Sequence, residues 1–201
     1  MGIWGSLNEI ALPELLLMLE DRNGVLTLRE GRRPAVSLEV AQGRAGRALE
    51  GRRPLSRVEL EERLLNLMIE SRASFGFYPN DRMGPVVGPK LRSLALKLST
   101  LFDEIQPALH QLPNPRARFH LISAKLLGNV RWDPLFLKAM DALEKGASAE
   151  ELAEVLGVPR LEARYFLLLL SRARRVRPEP AAAPARPKGV SRIFARILAE
   201  A

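Results

Sequence analysis

Residues 23–51 contain three short segments of alternating apolar and polar side chains, and this pattern constrains the fold most strongly. In the second segment Val36, Leu38 and Val40 share one face, while polar side chains occupy the other. Turn sequences separate the segments, and glycines such as Gly43 provide the positive φ that tight turns need. The sequence therefore predicts an antiparallel three-stranded meander with one buried face.

Segments on both sides of the meander are predicted to pack against it. Residues 12–20 have apolar side chains at helical spacing, and residues 3–7 suit an extended segment that pairs with the meander. Ser56 and Glu59 have the spacing of a capping box, which predicts a second helix ending near residue 71. Phe75-Gly76-Phe77 reads as a closing strand. Residues 1–82 are thus expected to form an α+β domain with a small antiparallel sheet and two helices.

Five short segments carry a resemblance to a known family: Gly5-Ser6-Leu7, Leu12-Pro13-Glu14-Leu15-Leu16, Gly24-Val25-Leu26, Gly43-Arg44 and Phe75-Gly76-Phe77. Their order resembles the PATAN domain, named for the N-terminal region of the PatA response regulator. Ser74 departs from the glycine usual there. The resemblance implies a non-catalytic interaction module of the kind attached to receiver domains and found in regulators of pili and surface motility. No receiver-domain acidic cluster follows residue 82.

The remaining chain is predicted to contain four further parts. Residues 83–132 are expected to form connecting helices, and residues 133–177 an all-α domain of three helices. A proline- and alanine-rich linker follows at residues 178–190, and an amphipathic helix at residues 191–201 ends the sequence. The fold class predicted for the whole chain is α+β, with a flexible tail.

Helix-start and helix-stop residues delimit the three-helix domain. Asp133 is predicted to cap a helix whose buried face contains Leu135, Leu137, Met140 and Leu143, with Gly146 ending it. Ser148 and Glu151 form a second capping box, and a third helix is expected from residue 160 to about 174. The segment AEELAEVLGVPRLEARYFLLL resembles the helix-turn-helix core of winged-helix domains.

A DNA-reading helix needs exposed polar side chains at its N-terminal end. Arg160 and Arg164 are the candidates, but the apolar run at 166–170 indicates burial on more than one side. We therefore expect a helical interaction module on this scaffold rather than a sequence-specific DNA reader. Arg172, Arg174 and Arg175 remain candidates for non-specific phosphate contacts.

The pentapeptide Glu-Gly-Arg-Arg-Pro occurs twice, at 30–34 and 50–54, each time where a turn is expected. If its arginines converged on one rim, they would form a site for a phosphorylated small molecule or an acidic partner. The simpler interpretation is that they flank ordinary exposed turns. The candidate anion-contacting residues are Arg32, Arg33, Arg52 and Arg53.

The net charge of +8 is concentrated near one end of the chain. Residues 172–196 contain eight arginines and lysines against Glu179, so the rest of the chain is close to neutral. This distribution indicates attraction to an acidic protein, nucleic acid or anionic membrane surface, or else a solvated tail. The partner-binding face predicted for the tail comprises Arg192, Ile193, Phe194, Arg196, Ile197 and Leu198.

No constellation typical of catalysis is present. The chain has no cysteine, no phosphate-binding glycine loop and no metal-ligand spacing, and His110 and His120 have no informative neighbours. We predict no catalytic, cofactor-binding or metal-binding residues and no membrane span. The expected function is that of a non-enzymatic cytoplasmic regulatory adaptor that binds another protein, in bacterial signalling or in control of pili and surface motility. The alternatives are a DNA-binding transcriptional regulator and a receptor for a phosphorylated small molecule.

Overall fold

The computed structural model describes residues 2–31, 33, 35–70 and 73–179. The chain is mixed α+β, as predicted, with two hydrophobic cores. In chain order the elements are β1 (Ile3–Ser6), α1 (Leu12–Met18), β2 (Gly24–Arg29), β3 (Val36–Ala41), β4 (Arg44–Glu50), β5 (Arg53–Pro54), α2 (Arg57–Glu70), β6 (Ser74–Pro79), α3 (Leu91–Ile105), a 3-10 turn (Gln106–Gln111), β7 (Phe119–Leu121), α4 (Asp133–Glu144), α5 (Ala149–Leu156), α6 (Arg160–Arg172) and β8 (Val176–Pro178).

Six strands form one antiparallel sheet in the order β1-β6-β2-β3-β4-β5. The predicted meander is confirmed as β2, β3 and β4, with Leu26 opposite Leu38 and Leu38 opposite Ala48. The expected pairing of the N-terminal segment with the meander is wrong, because β6 lies between β1 and β2. As a result, β1 is an edge strand.

Helices α1, α2 and α3 bury their apolar faces in one core with the buried side chains of this sheet. The predicted capping box of α2 is confirmed: Glu59 N–H donates to Ser56 Oγ at 3.3 Å, and Ser56 N–H donates to Glu59 Oε2 at 2.7 Å. The N-terminal unit has three helices rather than the two expected from the sequence, since the buried side chains of α3 complete its core.

The second core is built on α4, α5 and α6 and includes a two-stranded sheet that the sequence did not predict. In that sheet β7 pairs with β8, so that His120 lies opposite Arg177. The capping box at Ser148 and Glu151 is confirmed in both directions, and the helix stops at Gly146 and Gly157 have φ of 80° and 65°. The all-α composition expected for residues 133–177 is therefore corrected, because β8 begins at Val176 and pairs with β7, which precedes that range.

Two details of α4 differ from the prediction. Asp133 does not cap this helix; its carboxylate accepts hydrogen bonds from the backbone N–H groups of Leu127 and Asn129, at 2.8 and 3.0 Å. Leu137 is exposed, whereas Phe136 and Ala139 are buried. The buried face is displaced from the predicted one because the second core, and not the apolar content of the helix alone, decides which side faces inward.

The cores do not coincide with the boundaries expected at residues 83 and 133. Helix α3 belongs to the first core, while Phe119 and Trp132 belong to the second. Helix α6 contributes to both: Leu161 and Leu168 face the first core, and Phe166, Leu167 and Leu170 face the second. Contact with two cores explains the apolar run at 166–170.

Candidate interaction surfaces

Both copies of the Glu-Gly-Arg-Arg-Pro turn make the same ion pair. Glu30 pairs with Arg33 at 3.2 Å in the first copy, and Glu50 pairs with Arg53 at 3.3 Å in the second. Arg33 also contacts Glu70, the last residue of α2, at 3.4 Å. The glutamate and the second arginine are three residues apart in each copy, and this spacing lets their side chains pair within the turn.

The second copy holds the opposite end of α2. Arg53 lies 2.5 Å from Glu59 in the first turn of the helix. Hydrogen bonds from Arg53, and then from the Ser56 backbone and hydroxyl, lower the pKa of Glu59 to about 2. Glu70 lies eleven positions after Glu59, which corresponds to about 16 Å along a helix.

Among the described residues of the two turns, Arg33 and Arg53 therefore lie at opposite ends of α2 and share no common site. Arg33 and Arg53 each face two carboxylates of the chain itself. Arg52 is exposed at its turn, and Arg32 lies outside the described residues. Each described turn arginine therefore connects its turn to one end of α2 through an exposed ion pair.

The arginines near the start of α6 contact the rest of the chain. The backbone N–H of Arg160 lies 3.5 Å from Glu62 Oε2, and its Nε lies 4.0 Å from Glu62 Oε1. Arg164 Nε donates to the carbonyl of Pro113 at 2.9 Å, and burial lowers the pKa of Arg164. Arg164 is thus directed toward a protein carbonyl, while the Arg160 side chain is largely exposed beside Glu62.

The arginines at the end of α6 secure adjoining segments. Arg172 donates to the Gln111 side chain, and Arg175 donates to the carbonyl of Leu126 at 3.5 Å. Arg174 is exposed and has a φ of 55°, so it makes the turn that leads into β8. The partner-binding residues predicted in the tail, 192–198, lie outside the described residues.

A charged junction joins the two cores, and sequence patterns did not predict it. Glu61 of α2 and Glu162 of α6 are only 2% and 4% exposed. Lys97 Nζ lies 2.5 Å from Glu61 and 3.8 Å from Glu162. Arg131 lies 3.5 Å from Glu162 and 2.8 Å from Glu104. Because buried charges require partners, these contacts link the two cores in one geometry.

Glu162 is the least satisfied member of this junction. Its Oε2 atom is buried without a hydrogen-bond partner, although Lys97 is close enough for an ion pair. Burial raises the pKa of Glu162, and the nearby charges of Lys97 and Arg131 oppose that shift. The junction therefore contains a carboxylate whose charged form is poorly compensated.

An exposed aromatic pair lies at the β1 edge of the sheet, on the face opposite the helices. Trp4 is 62% exposed and Tyr78 is 51% exposed, and their rings meet edge-to-face with centroids 6.0 Å apart. Gly76 permits this packing, because a Cβ atom there would lie 2.9 Å from Trp4 Cδ1. Alternation could have revealed this surface, since Ile3 faces the core and its neighbour Trp4 must face outward.

The part of the chain that the structure describes contains neither a cluster of metal-ligating side chains nor a membrane-spanning helix. There, no three histidine, aspartate or glutamate side chains are grouped so as to share a metal ion. The helices within the described ranges are also too short or too polar to traverse a bilayer.

No family model, curated protein or solved structure matches the chain significantly. The resemblances to PATAN and winged-helix domains therefore stay predictions.

Proposed function

We propose that the chain is a non-enzymatic regulatory adaptor of the cytoplasm that binds a protein partner through the Trp4–Tyr78 surface at the open edge of the sheet. The observation that carries the proposal is the exposure of two large aromatic side chains beside an edge strand. The setting suggested by the PATAN resemblance is bacterial signalling or the control of pili and surface motility.

Two physical arguments support this surface. Tryptophan and tyrosine are enriched among the few residues that supply most binding energy at protein interfaces, because they bury a large area with few rotatable bonds. Strand β1 pairs with β6 on one side and with no other described strand, and its residues are Ile3, Trp4, Gly5 and Ser6. Such an edge lacks the charges and prolines that block strand addition, so it suits an extended segment of a partner.

The alternative functions receive less support from the contacts. A DNA-binding regulator would need the N-terminal end of α6, where Arg160 and Arg164 contact Glu62 and Pro113. A receptor for a phosphorylated small molecule would need free guanidinium groups, whereas Arg33 and Arg53 are paired with glutamates. Binding of a protein at the Trp4–Tyr78 surface leaves all of these contacts in place.

The proposal is tested by affinity capture with the full chain and the double variant Trp4→Ala/Tyr78→Ala. Proteins from a lysate of cells that express the chain are quantified by mass spectrometry with isotope labels. A specific partner should be at least about tenfold less abundant with the variant, because losing two central aromatic contacts costs well over 1.4 kcal/mol of binding free energy.

The matched control is Val130→Ala/Leu137→Ala, which removes two exposed apolar side chains of the second unit. This control should retain the partner, and both variants should melt as cooperatively as the parent chain. Equal capture by the parent chain and the aromatic variant would exclude the Trp4–Tyr78 surface as the binding site.

A further inference from the structure

The elements around the first core form one unit, and those around the second core form the other. A groove lies between these two units, along α2, α5 and the start of α6. Its volume is about 370 Å³. The apolar side chains of Val58, Ala153 and Val158 line it. The charged lining consists of four carboxylates and one guanidinium, from Glu59, Glu62, Glu150, Glu154 and Arg160.

The negative charge of this groove is only partly compensated. Glu59 pairs with Arg53, and Glu62 pairs with Arg160 at 4.0 Å. Glu150 and Glu154 of α5 have no ion pair with any residue that the structure describes. A ligand with cationic groups around an apolar face would complement both the charge and the lining.

The described chain ends next to the same helix. Glu179, which follows β8, has its carboxylate 3.8 Å from Arg118 Nε. Arg118 Nη1 in turn lies 2.9 Å from Glu151, the neighbour of Glu150 on α5. One arginine side chain therefore separates the start of the following segment from the α5 side of the groove.

The segment that starts there has the complementary chemistry. Residues 180–198 contain Arg186, Lys188, Arg192 and Arg196 and no acidic residue. Its apolar side chains between residues 193 and 198 are those of Ile193, Phe194, Ala195, Ile197 and Leu198. Twelve residues lie between Glu179 and Arg192, and an extended chain of that length spans about 40 Å, which is long enough to reach the groove from Glu179.

We infer that residues 186–198 dock into this groove within the same chain, with their basic side chains against Glu150 and Glu154 and their apolar side chains against Val58, Ala153 and Val158. The short connection gives the segment a local concentration in the millimolar range. Occupancy is therefore high even for a weak peptide interaction. The docked segment bridges the two units, because the groove takes α2 from one and α5 from the other.

Zero-length cross-linking of the full chain tests the placement. Residues 180–201 contain one lysine, Lys188. Carbodiimide should link its amine to a groove carboxylate, that of Glu150, Glu154, Glu62 or Glu59. A mixture of ¹⁴N- and ¹⁵N-labelled chains separates links within a chain from links between chains. Links between chains would assign the groove to a second copy and overturn docking in cis. Links only to carboxylates outside the groove would also overturn the inference.

Cleavage by chymotrypsin after Phe194 tests the energetics. Glu150→Lys/Glu154→Lys should speed cleavage about tenfold at physiological salt, because a segment bound about nine-tenths of the time is exposed about tenfold more when released. Asp141→Lys/Glu144→Lys on α4 is the matched control, since it reverses two exposed charges at similar spacing outside the groove. The control should be cleaved at the rate of the parent chain.

A charge swap separates direct contact from altered folding. Arg192→Glu/Arg196→Glu should also be cleaved faster, and combining it with Glu150→Lys/Glu154→Lys should restore protection. Equal rates for the parent chain and Glu150→Lys/Glu154→Lys would overturn the inference, as would a swap that fails to restore protection. None of these positions belongs to the Trp4–Tyr78 surface, so the result is independent of the proposed function.

Discussion

Lys97 and Glu162 face each other across the boundary between the two cores, with Lys97 Nζ 3.8 Å from Glu162 Oε2. The same ammonium group contacts Glu61 of α2 at 2.5 Å. One partly exposed lysine of α3 thus faces two buried carboxylates from different helices. Because isolated buried charges are unfavourable, the buried Glu162 of α6 depends on Lys97 of α3, which belongs to the other core, for part of its charge balance.

Replacing Lys97 with methionine should destabilise the chain strongly. The substitution preserves the aliphatic stem but leaves Glu61 and Glu162 with less positive charge nearby, and breaking a buried pair typically costs about 3 kcal/mol. We expect a loss of about 2 kcal/mol or more in the free energy of unfolding at pH 7, measured by urea denaturation. Lys138→Met, on the exposed side of α4, should change it by less than about 0.5 kcal/mol.

Glu162→Gln should increase the free energy of unfolding at neutral pH, whereas Lys97→Met should decrease it. The pKa of Glu162 is raised by burial, so its contribution to stability is present below the ordinary glutamate pKa and is lost as the pH rises through the folded-state value. The variant should therefore be more stable than the parent chain at pH 7, with the difference shrinking below about pH 4. Urea denaturation at both pH values measures this. A variant less stable at pH 7 would show that the pairs with Lys97 and Arg131 outweigh the cost of burial.

Glu59→Gln should weaken the start of α2 in a pH-dependent way. The pKa of Glu59 is lowered to about 2, mainly by Arg53, so its contribution is present above the unfolded-state pKa near 4.5 and is lost as the pH falls toward 2. Solvent screens this partly exposed group, and the expected cost at pH 7 is about 1 kcal/mol, from loss of the negative charge beside Arg53 and the N-terminus of α2.

The control for Glu59 lies at the other end of the same helix. Glu70→Gln removes the exposed pair with Arg33 at the C-terminal end of α2, where a negative charge gains nothing from the helix dipole, and should cost at most about 0.5 kcal/mol. Thermal unfolding between pH 3 and pH 7 compares the two variants. Equal costs at pH 7 would contradict a specific role for the capping carboxylate.

Residues 80–90 form the connector between β6 and α3, and a hydrogen bond joins it to β4. Gly88→Ala should detach this connector from β4. A Cβ atom at this glycine would lie 1.8 Å from the carbonyl oxygen of Ala45, and backbone cannot yield as a flexible side chain can. The nearby hydrogen bond from Ala45 N–H to Pro89 O, 2.9 Å long, should break. We expect a loss of about 2 kcal/mol and faster hydrogen exchange at the Ala45 amide.

Gly84→Ala provides a matched test in the same connector. A Cβ atom there would have no heavy atom within 4 Å, so the substitution should be neutral or slightly stabilising. Slow exchange at the Ala45 amide in Gly88→Ala would show that its hydrogen bond to Pro89 survives and that the added Cβ atom does not detach the connector.

Structural features that depend on residues close together along the chain were predictable from the sequence. Period-two alternation identified the meander, and both capping boxes occur where Ser56 and Ser148 precede a glutamate by three residues. These patterns are reliable because the interacting groups are neighbours along the chain, so local geometry alone brings them together. The outward direction of Trp4 was available from the same alternation, although the aromatic pair with Tyr78 required the pairing of β1 with β6.

The sequence by itself determined the meander, the capped starts of α2 and α5 and the concentration of basic residues from Arg172 onward. Only the tertiary structure decided what those elements contact. The arginine turns face the ends of α2, Lys97 faces two glutamates, and β7 pairs with a strand more than fifty residues later. Such partners are chosen by the joint packing of two cores, and no short stretch of chain contains both sides of those contacts. Helix α6 shows the difference most clearly, since its apolar run signalled burial while only the assembled fold placed it between both cores.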